Sequence, residues 1–210
     1  EFLLLDMEQQ KMGRIIGFNL KNGLQVFNTK VLSDTIPHNM AVNENFIFAD
    51  FTLRNPGNKL WISFYRTTGQ KYSQFVHDYD TKALFAQNDT AILFCVQGNQ
   101  SNVINFSIID NNIIKSTSLD NIAIDQVYSF RDNVFTIVDG NKIISYNNTS
   151  GNIRNVFEAN AIISDVTYDE ISSSYVIALP HEIIMLKTNS STFKRLTTKI
   201  ASEFIRDIYN

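Results

Sequence analysis

The sequence predicts an all-β fold, a five-bladed β-propeller of four-stranded antiparallel blades, on three observations. Short runs rich in Ile, Val, Phe and Tyr alternate with clusters of Asn, Asp, Gly and Ser, while helical periodicity is nearly absent. The runs recur: similar apolar segments start about 40 to 45 residues apart, the spacing of a blade. Finally, the first repeat lacks its leading strand, and a segment of matching character stands at the other end of the chain.

Taken in order, the first blade opens on Phe2–Asp6 and continues through Arg14–Phe18 and Leu24–Phe27. The second reads Met40–Val42, Phe46–Asp50, Leu60–Tyr65 and Tyr72–Val76, and the third Ala83–Phe85, Ala91–Val96, Val103–Ile108 and Ile113–Thr117. The fourth reads Val127–Phe130, Val134–Asp139, Lys142–Tyr146 and Ile153–Phe157, and the fifth Val166–Tyr168, Tyr175–Leu179, Glu182–Leu186 and Phe193–Thr197. Before each outer strand stand Asn, Gly or Ser residues, as in Lys21-Asn-Gly23, Thr68-Gly-Gln70 and Ser150-Gly-Asn152, which suit tight hairpins and so antiparallel pairing. The innermost strand missing from the first blade is expected in Phe204–Asn210, with Ile205–Tyr209 pairing against Phe2–Asp6 and so removing an open sheet edge. On this reading residues 1–210 form one propeller domain with a repeat of about 42 residues. A β-sandwich of similar strand count, or a fragment of a six- or seven-bladed propeller, are the competing architectures.

Composition bounds the rest. The chain has 210 residues, 44% of them hydrophobic and 12% aromatic, enough for a substantial core. The formal net charge is −3 and no run of Lys and Arg exceeds Lys194-Arg195, so nothing in the charge pattern points to a nucleic-acid partner. No apolar run approaches the roughly 20 residues of a membrane-spanning helix. Cys95, the single cysteine, lies in the apolar run Ala91–Val96 and is expected to be a buried, inert thiol.

Six Asn-x-Ser/Thr sequons begin at Asn88, Asn99, Asn105, Asn147, Asn148 and Asn189. Those at Asn88, Asn99, Asn147 and Asn189 fall in expected turns and are the glycosylation candidates of a secreted glycoprotein, with a cytoplasmic location as the alternative.

The runs Phe46-Ile-Phe-Ala-Asp50 and Val134-Phe-Thr-Ile-Val-Asp139, the latter followed by Asn141-Lys-Ile-Ile144, resemble the second-strand Asp pattern of the NHL-type and YWTD-type propellers. Three of the five repeats carry the likeness, and the Trp-Asp dipeptide and Gly-His pair of another propeller class are absent. The resemblance implies a binding or scaffold module more than a chemistry, although some related folds are glycosidases and lactonases.

In a propeller, the loops leading into the innermost strands line one mouth of the central channel. Mapping the repeat onto that geometry makes His38, Asn39, Lys82, Asp125, Gln126, Asp165, Arg206 and Asp207 candidate ligand-binding residues, with His181 in an adjoining turn. Asp6, Asp50 and Asp139 are placed in those turns too, where an Asx-turn is the expected role. Paired carboxylates there would be the starting point of a hydrolase, either glycosidase or lactonase-like. His38, His77 and His181 are expected near the same face, yet no metal-ligand spacing is present, and neither a phosphate-binding Gly-rich loop nor a Gly-x-Ser-x-Gly elbow occurs. The sequence therefore favours a non-enzymatic module for a small molecule, glycan or protein, without cofactor or metal, with a hydrolase or a structural subunit of a larger assembly as alternatives. Trp61 and Phe64 are expected in the core between blades.

Overall fold

A computed structural model describes residues 2–7, 12–54, 57–188 and 193–197. These described residues form nineteen strands in five antiparallel sheets, each sheet contiguous in sequence. The first has three strands, β1 (Phe2–Met7), β2 (Met12–Phe18) and β3 (Gln25–Ser33). The second is β4 (Thr35–Val42), β5 (Phe46–Leu53), β6 (Lys59–Tyr65) and β7 (Lys71–His77). The third is β8 (Asp80–Gln87), β9 (Thr90–Gln97), β10 (Gln100–Ser107) and β11 (Asn112–Leu119). The fourth comprises β12 (Gln126–Arg131), β13 (Val134–Asp139), β14 (Lys142–Asn147) and β15 (Ile153–Glu158). The fifth comprises β16 (Asp165–Asp169), β17 (Ser174–Ala178), β18 (Glu182–Lys187) and β19 (Phe193–Thr197). The closing strand expected at 204–210 lies outside the described residues.

The chain divides into two compact units, 1–124 with the first three sheets and 125–210 with the last two. In the first unit β5 is buried on both faces, which explains why its sequence reads as a continuous apolar run rather than an alternation. Phe46 and Phe48 join Trp61, Leu93, Ile104 and Phe106 in one cluster. Their neighbours Ile47, Ala49 and Phe51 turn the other way, into a cluster with Ile15, Leu60, Ile62 and Phe64. Each such fully buried large side chain contributes about 1.5–3 kcal/mol relative to exposure. In the second unit Val138, Ile143, Val166, Tyr175, Ile177 and Ile184 form the core.

The strands that precede the apolar runs are longer than the sequence indicated. β4 begins at Thr35 rather than Met40, and β8 at Asp80 rather than Ala83. Both carry a register shift, between Pro37 and Asn39 in β4 and between Thr81 and Ala83 in β8. A bulge lets Pro37, which has no N–H, sit in a paired strand.

Candidate functional site

In the first unit these two bulged strands frame a cleft of about 330 Å³ lined by Pro37, His38, Asn39, Asp50, Thr52, Lys59, Asp80 and Thr81. His38 Nε2 lies 2.8 Å from Thr52 Oγ1, and Asn39 Nδ2 donates to the Thr81 carbonyl at 3.1 Å, tying β4 to β8. Asp80 is flanked by two cations, Lys82 Nζ at 2.7 Å and Lys59 Nζ at 3.6 Å. The Lys82 hydrogen bond, helped by the charges of both lysines, outweighs partial burial and holds the Asp80 carboxyl below the usual carboxylate range. Of the candidates, His38 and Asn39 thus share a cleft, and Lys82 reaches its wall through Asp80.

Asp50 departs from expectation. It stands inside β5 opposite Trp61, not in a turn, and its side chain is only 5% exposed. Its Oδ1 lies 3.3 Å from Nε2 of His77, whose side chain is fully buried rather than near an exposed face. Neither His77 ring nitrogen nor Asp50 Oδ1 has an aligned hydrogen-bond partner among the described residues. The imidazole stacks on Trp61 at 4.2 Å, and Trp61 in turn stacks on Phe75 and Tyr79 and meets Phe106 edge-on. Trp61, 1% exposed, is core as expected, and donates from Nε1 to Thr81 Oγ1 at 3.3 Å. Cys95 is buried beside the same hydroxyl, 3.9 Å from it, and burial pushes its thiol up to about 12, which makes it inert as a nucleophile.

The Asx-turn role expected of Asp50 and Asp139 falls to other residues, and the side chain of Asp6 lies outside the described ones. Asn43 Oδ1 accepts the amides of Asn45 and Phe46, and Asp169 accepts those of Ile171 and Ser172. Asp6 lies within β1, and Asp139 ends β13. The amide of Gly140 is taken by Asp125 Oδ2 at 2.7 Å, so Asp125 holds a turn. Asp165 Oδ1 accepts the Tyr128 hydroxyl at 2.6 Å, and burial followed by this bond to a carboxylate raises the Tyr128 phenol to about 12. Nearby, Gln126 Nε2 donates to the Ser164 carbonyl at 3.1 Å. His181 is exposed in the turn between β17 and β18. Arg206 and Asp207 lie outside the described residues, as does Asn189. Asn88 and Asn99 are exposed in turns; Asn147 is half-buried and accepts the Ser150 amide, and Asn105 is buried inside β10, where no glycan fits. Among the described residues, no group of three or more His, Cys, Asp and Glu could hold a metal ion, and no helix is long and apolar enough to cross a membrane.

A larger concavity was not foreseen. It is a groove of about 840 Å³ in the second unit, between the fourth and fifth sheets. Arg131, Arg154, Lys187 and Glu158 bring its charges, and Phe130, Phe157, Tyr168 and Tyr175 its aromatic wall. The Arg131 guanidinium donates to the Tyr168 hydroxyl and lies 5.1 Å from that ring's centre.

No protein-family model matches the chain, and no curated protein matches its sequence. Solved structures do resemble it. BamB from Moraxella catarrhalis superposes with a TM-score of 0.60 at 9% identity, over 92% of this chain and 62% of that one. The WD40 repeats of RRP9 give 0.62 at 9% identity, over 91% of this chain and 62% of that one. The nidogen/laminin complex gives 0.57 at 10% identity, over 93% of this chain and 77% of that one. The fold is that of a β-propeller. The chain spans less than two thirds of the BamB and RRP9 chains, and at such identities the likeness is one of fold alone.

Proposed function

We propose that this propeller chain is a non-enzymatic binding module, and that the cleft framed by β4 and β8 is its ligand site. The observation that carries the reading is Asp50, a carboxylate almost wholly removed from water that lines the cleft and whose Oδ1, 3.3 Å from His77 Nε2, lacks an aligned donor. A buried acceptor without its donor costs about 1–3 kcal/mol, more when charged, and a ligand that supplies the donor recovers that cost. The matching chemistry is a cationic ammonium or guanidinium group, or the hydroxyls of a glycan. The rim adds polar contacts from His38, Asn39 and Thr81, of the kind that orient a ligand in a small pocket.

The hydrolase alternative needs a carboxyl that is protonated near neutrality to act as general acid. Asp80 is shifted in the opposite direction, and Cys95 is far too basic to act as a thiolate nucleophile. Isothermal titration of the full chain with arginine amide and with a panel of methyl glycosides tests the reading. One class should bind, and the isosteric Asp50→Asn variant should weaken it about tenfold or more, the value of a hydrogen bond to a charged group. His38→Ala, at the rim, should weaken it severalfold with the fold intact. Binding by neither class, binding indifferent to both substitutions, or turnover of aryl glycosides or esters would overturn the proposal.

A further inference from the structure

One wall of the groove in the second unit is a row that crosses the fourth sheet. Across the fourth sheet, Tyr128 pairs with Thr136, Thr136 with Ser145, and Ser145 with Arg154. The corresponding face of the second sheet carries Phe48 opposite Ser63, and Phe48 reaches across to Phe106 of the third sheet at 5.4 Å. Thr136 stands where Phe48 does, and the rings that meet between the fourth and fifth sheets come instead from the flanking strand, Phe130 stacking on Tyr168 at 5.8 Å and packing against Tyr175 at 6.2 Å. What faces the gap from the fifth sheet is the row Tyr168, Tyr175 and Leu186. Thr136 Oγ1 lies 3.4 Å from the Tyr175 hydroxyl, which fixes the floor.

The charge in this groove opposes that of the protein. The chain carries a net −3, yet three cations, Arg131, Arg154 and Lys187, line the groove against the single acid Glu158. Arg131 is already positioned on Tyr168, while Arg154 and Lys187 have no ion-pair partner among the described residues. Their exposed heads are hydrated cations beside an apolar and aromatic wall.

We infer that this groove docks an extended acidic segment of a partner protein, one whose carboxylates meet Arg154 and Lys187 while an aromatic or aliphatic side chain packs on the half-buried wall of Val156 and Phe157. Charge complementarity selects an acidic partner. The wall selects a peptide over a nucleic acid. The rings are engaged with one another, Phe130 stacking on Tyr168 and packing against Tyr175 with Arg131 over the Tyr168 ring, which leaves bases few faces to stack on, and three cations around an open gap do not track a phosphate backbone. An extended peptide, in contrast, alternates its side chains, so that apolar ones point inward and acidic ones reach the rim. The site is independent of the cleft around Asp50 and stands or falls without it.

The test uses the full chain and fluorescence anisotropy with a fluorescein-labelled Glu-Asp-Phe-Glu-Asp-Leu peptide. A Lys-Arg-Phe-Lys-Arg-Leu peptide and a twelve-nucleotide oligothymidylate serve as comparison probes. The acidic peptide should bind and the basic one should not. Arg154→Glu and Lys187→Glu, both exposed reversals that leave the core alone, should each weaken binding about tenfold. Lys71→Glu, on β7 of the first unit, should change nothing. Failure of the acidic peptide to bind below about 1 mM, or binding indifferent to both reversals, overturns the inference. Tighter binding of the oligothymidylate overturns it in favour of a nucleic-acid site.

Discussion

At the scale of the residue, ionisable groups divide by what faces them, and the sequence shows only part of that. Cys95 was legible because its neighbours along the strand are all apolar. Asp50 was not: it ends the apolar run Phe46–Asp50, where an aspartate ordinarily caps a turn, and only the register of β5 against β6 carries it inward to His77. A hint was available in the four polar residues His38, Asn39, Lys59 and Asp80 that now surround it, but they come from three strands whose packing no local pattern reveals. Asp80 supports a prediction with a definite sign. Its folded carboxyl titrates below the unfolded value of about 3.9, so its contribution is present above that pH and is lost as pH falls through the lower folded value. Lys82→Ala should therefore lower the melting temperature at pH 6, and the gap to the parent protein should close by about pH 2. Because both partners are largely exposed, the pair is worth less than about 1 kcal/mol, and high salt should shrink it further. Melting curves across pH check this; a difference that persists undiminished in acid would mean Lys82 acts through packing.

At the scale of the element, the strands at the centre of each sheet were readable because burial on both faces demands apolar runs. Their edges were not, since Thr35-Ile-Pro-His-Asn39 looks like a loop until a bulge allows it to pair. The groove was hidden for a related reason. Its cations, Arg131, Arg154 and Lys187, come from β12, β15 and β18, strands of two sheets whose juxtaposition no local pattern reveals. Turns were legible by their Gly and Asn, and one of them has a sharper requirement than turn chemistry. Gly69, at φ +68°, ends the hairpin between β6 and β7, and its carbonyl accepts Thr29 Oγ1 at 2.7 Å. A methyl group there would lie 2.3 Å from the Phe27 ring and 2.5 Å from Thr29 Oγ1. Gly140, at φ +58°, has open space around the same atom. Gly140→Ala should cost only the backbone penalty of about 1 kcal/mol, whereas Gly69→Ala adds overpacking of about 1–3 kcal/mol. Urea unfolding of the two variants decides the point. Equal losses would show that β3 yields freely and that Gly69 is needed for its φ alone.

For the whole molecule, what matters is that among the described residues every sheet is built from consecutive strands, so that their backbone pairing stays within one repeat. Stability in such a chain is approximately a sum of sheet terms and neighbour terms, as in other repeat architectures, and the two compact units set the coarsest division of that sum. The aromatic cluster around Trp61 belongs wholly to the second and third sheets. Removing the indole should cost about 3–5 kcal/mol, the usual range for a buried Trp replaced by Ala, and the question is where that loss is felt. Locality predicts that in Trp61→Ala the amides of β5, β6, β9 and β10 exchange faster by a common factor, while those of β13, β14, β17 and β18 keep their protection, because their core of Val138, Ile143, Ile177 and Ile184 is untouched. Amide hydrogen exchange read by mass spectrometry resolves the two sets of strands. A uniform loss across all eight would mean that the protected amides open only in one global transition, and would refute the additive picture drawn from the topology.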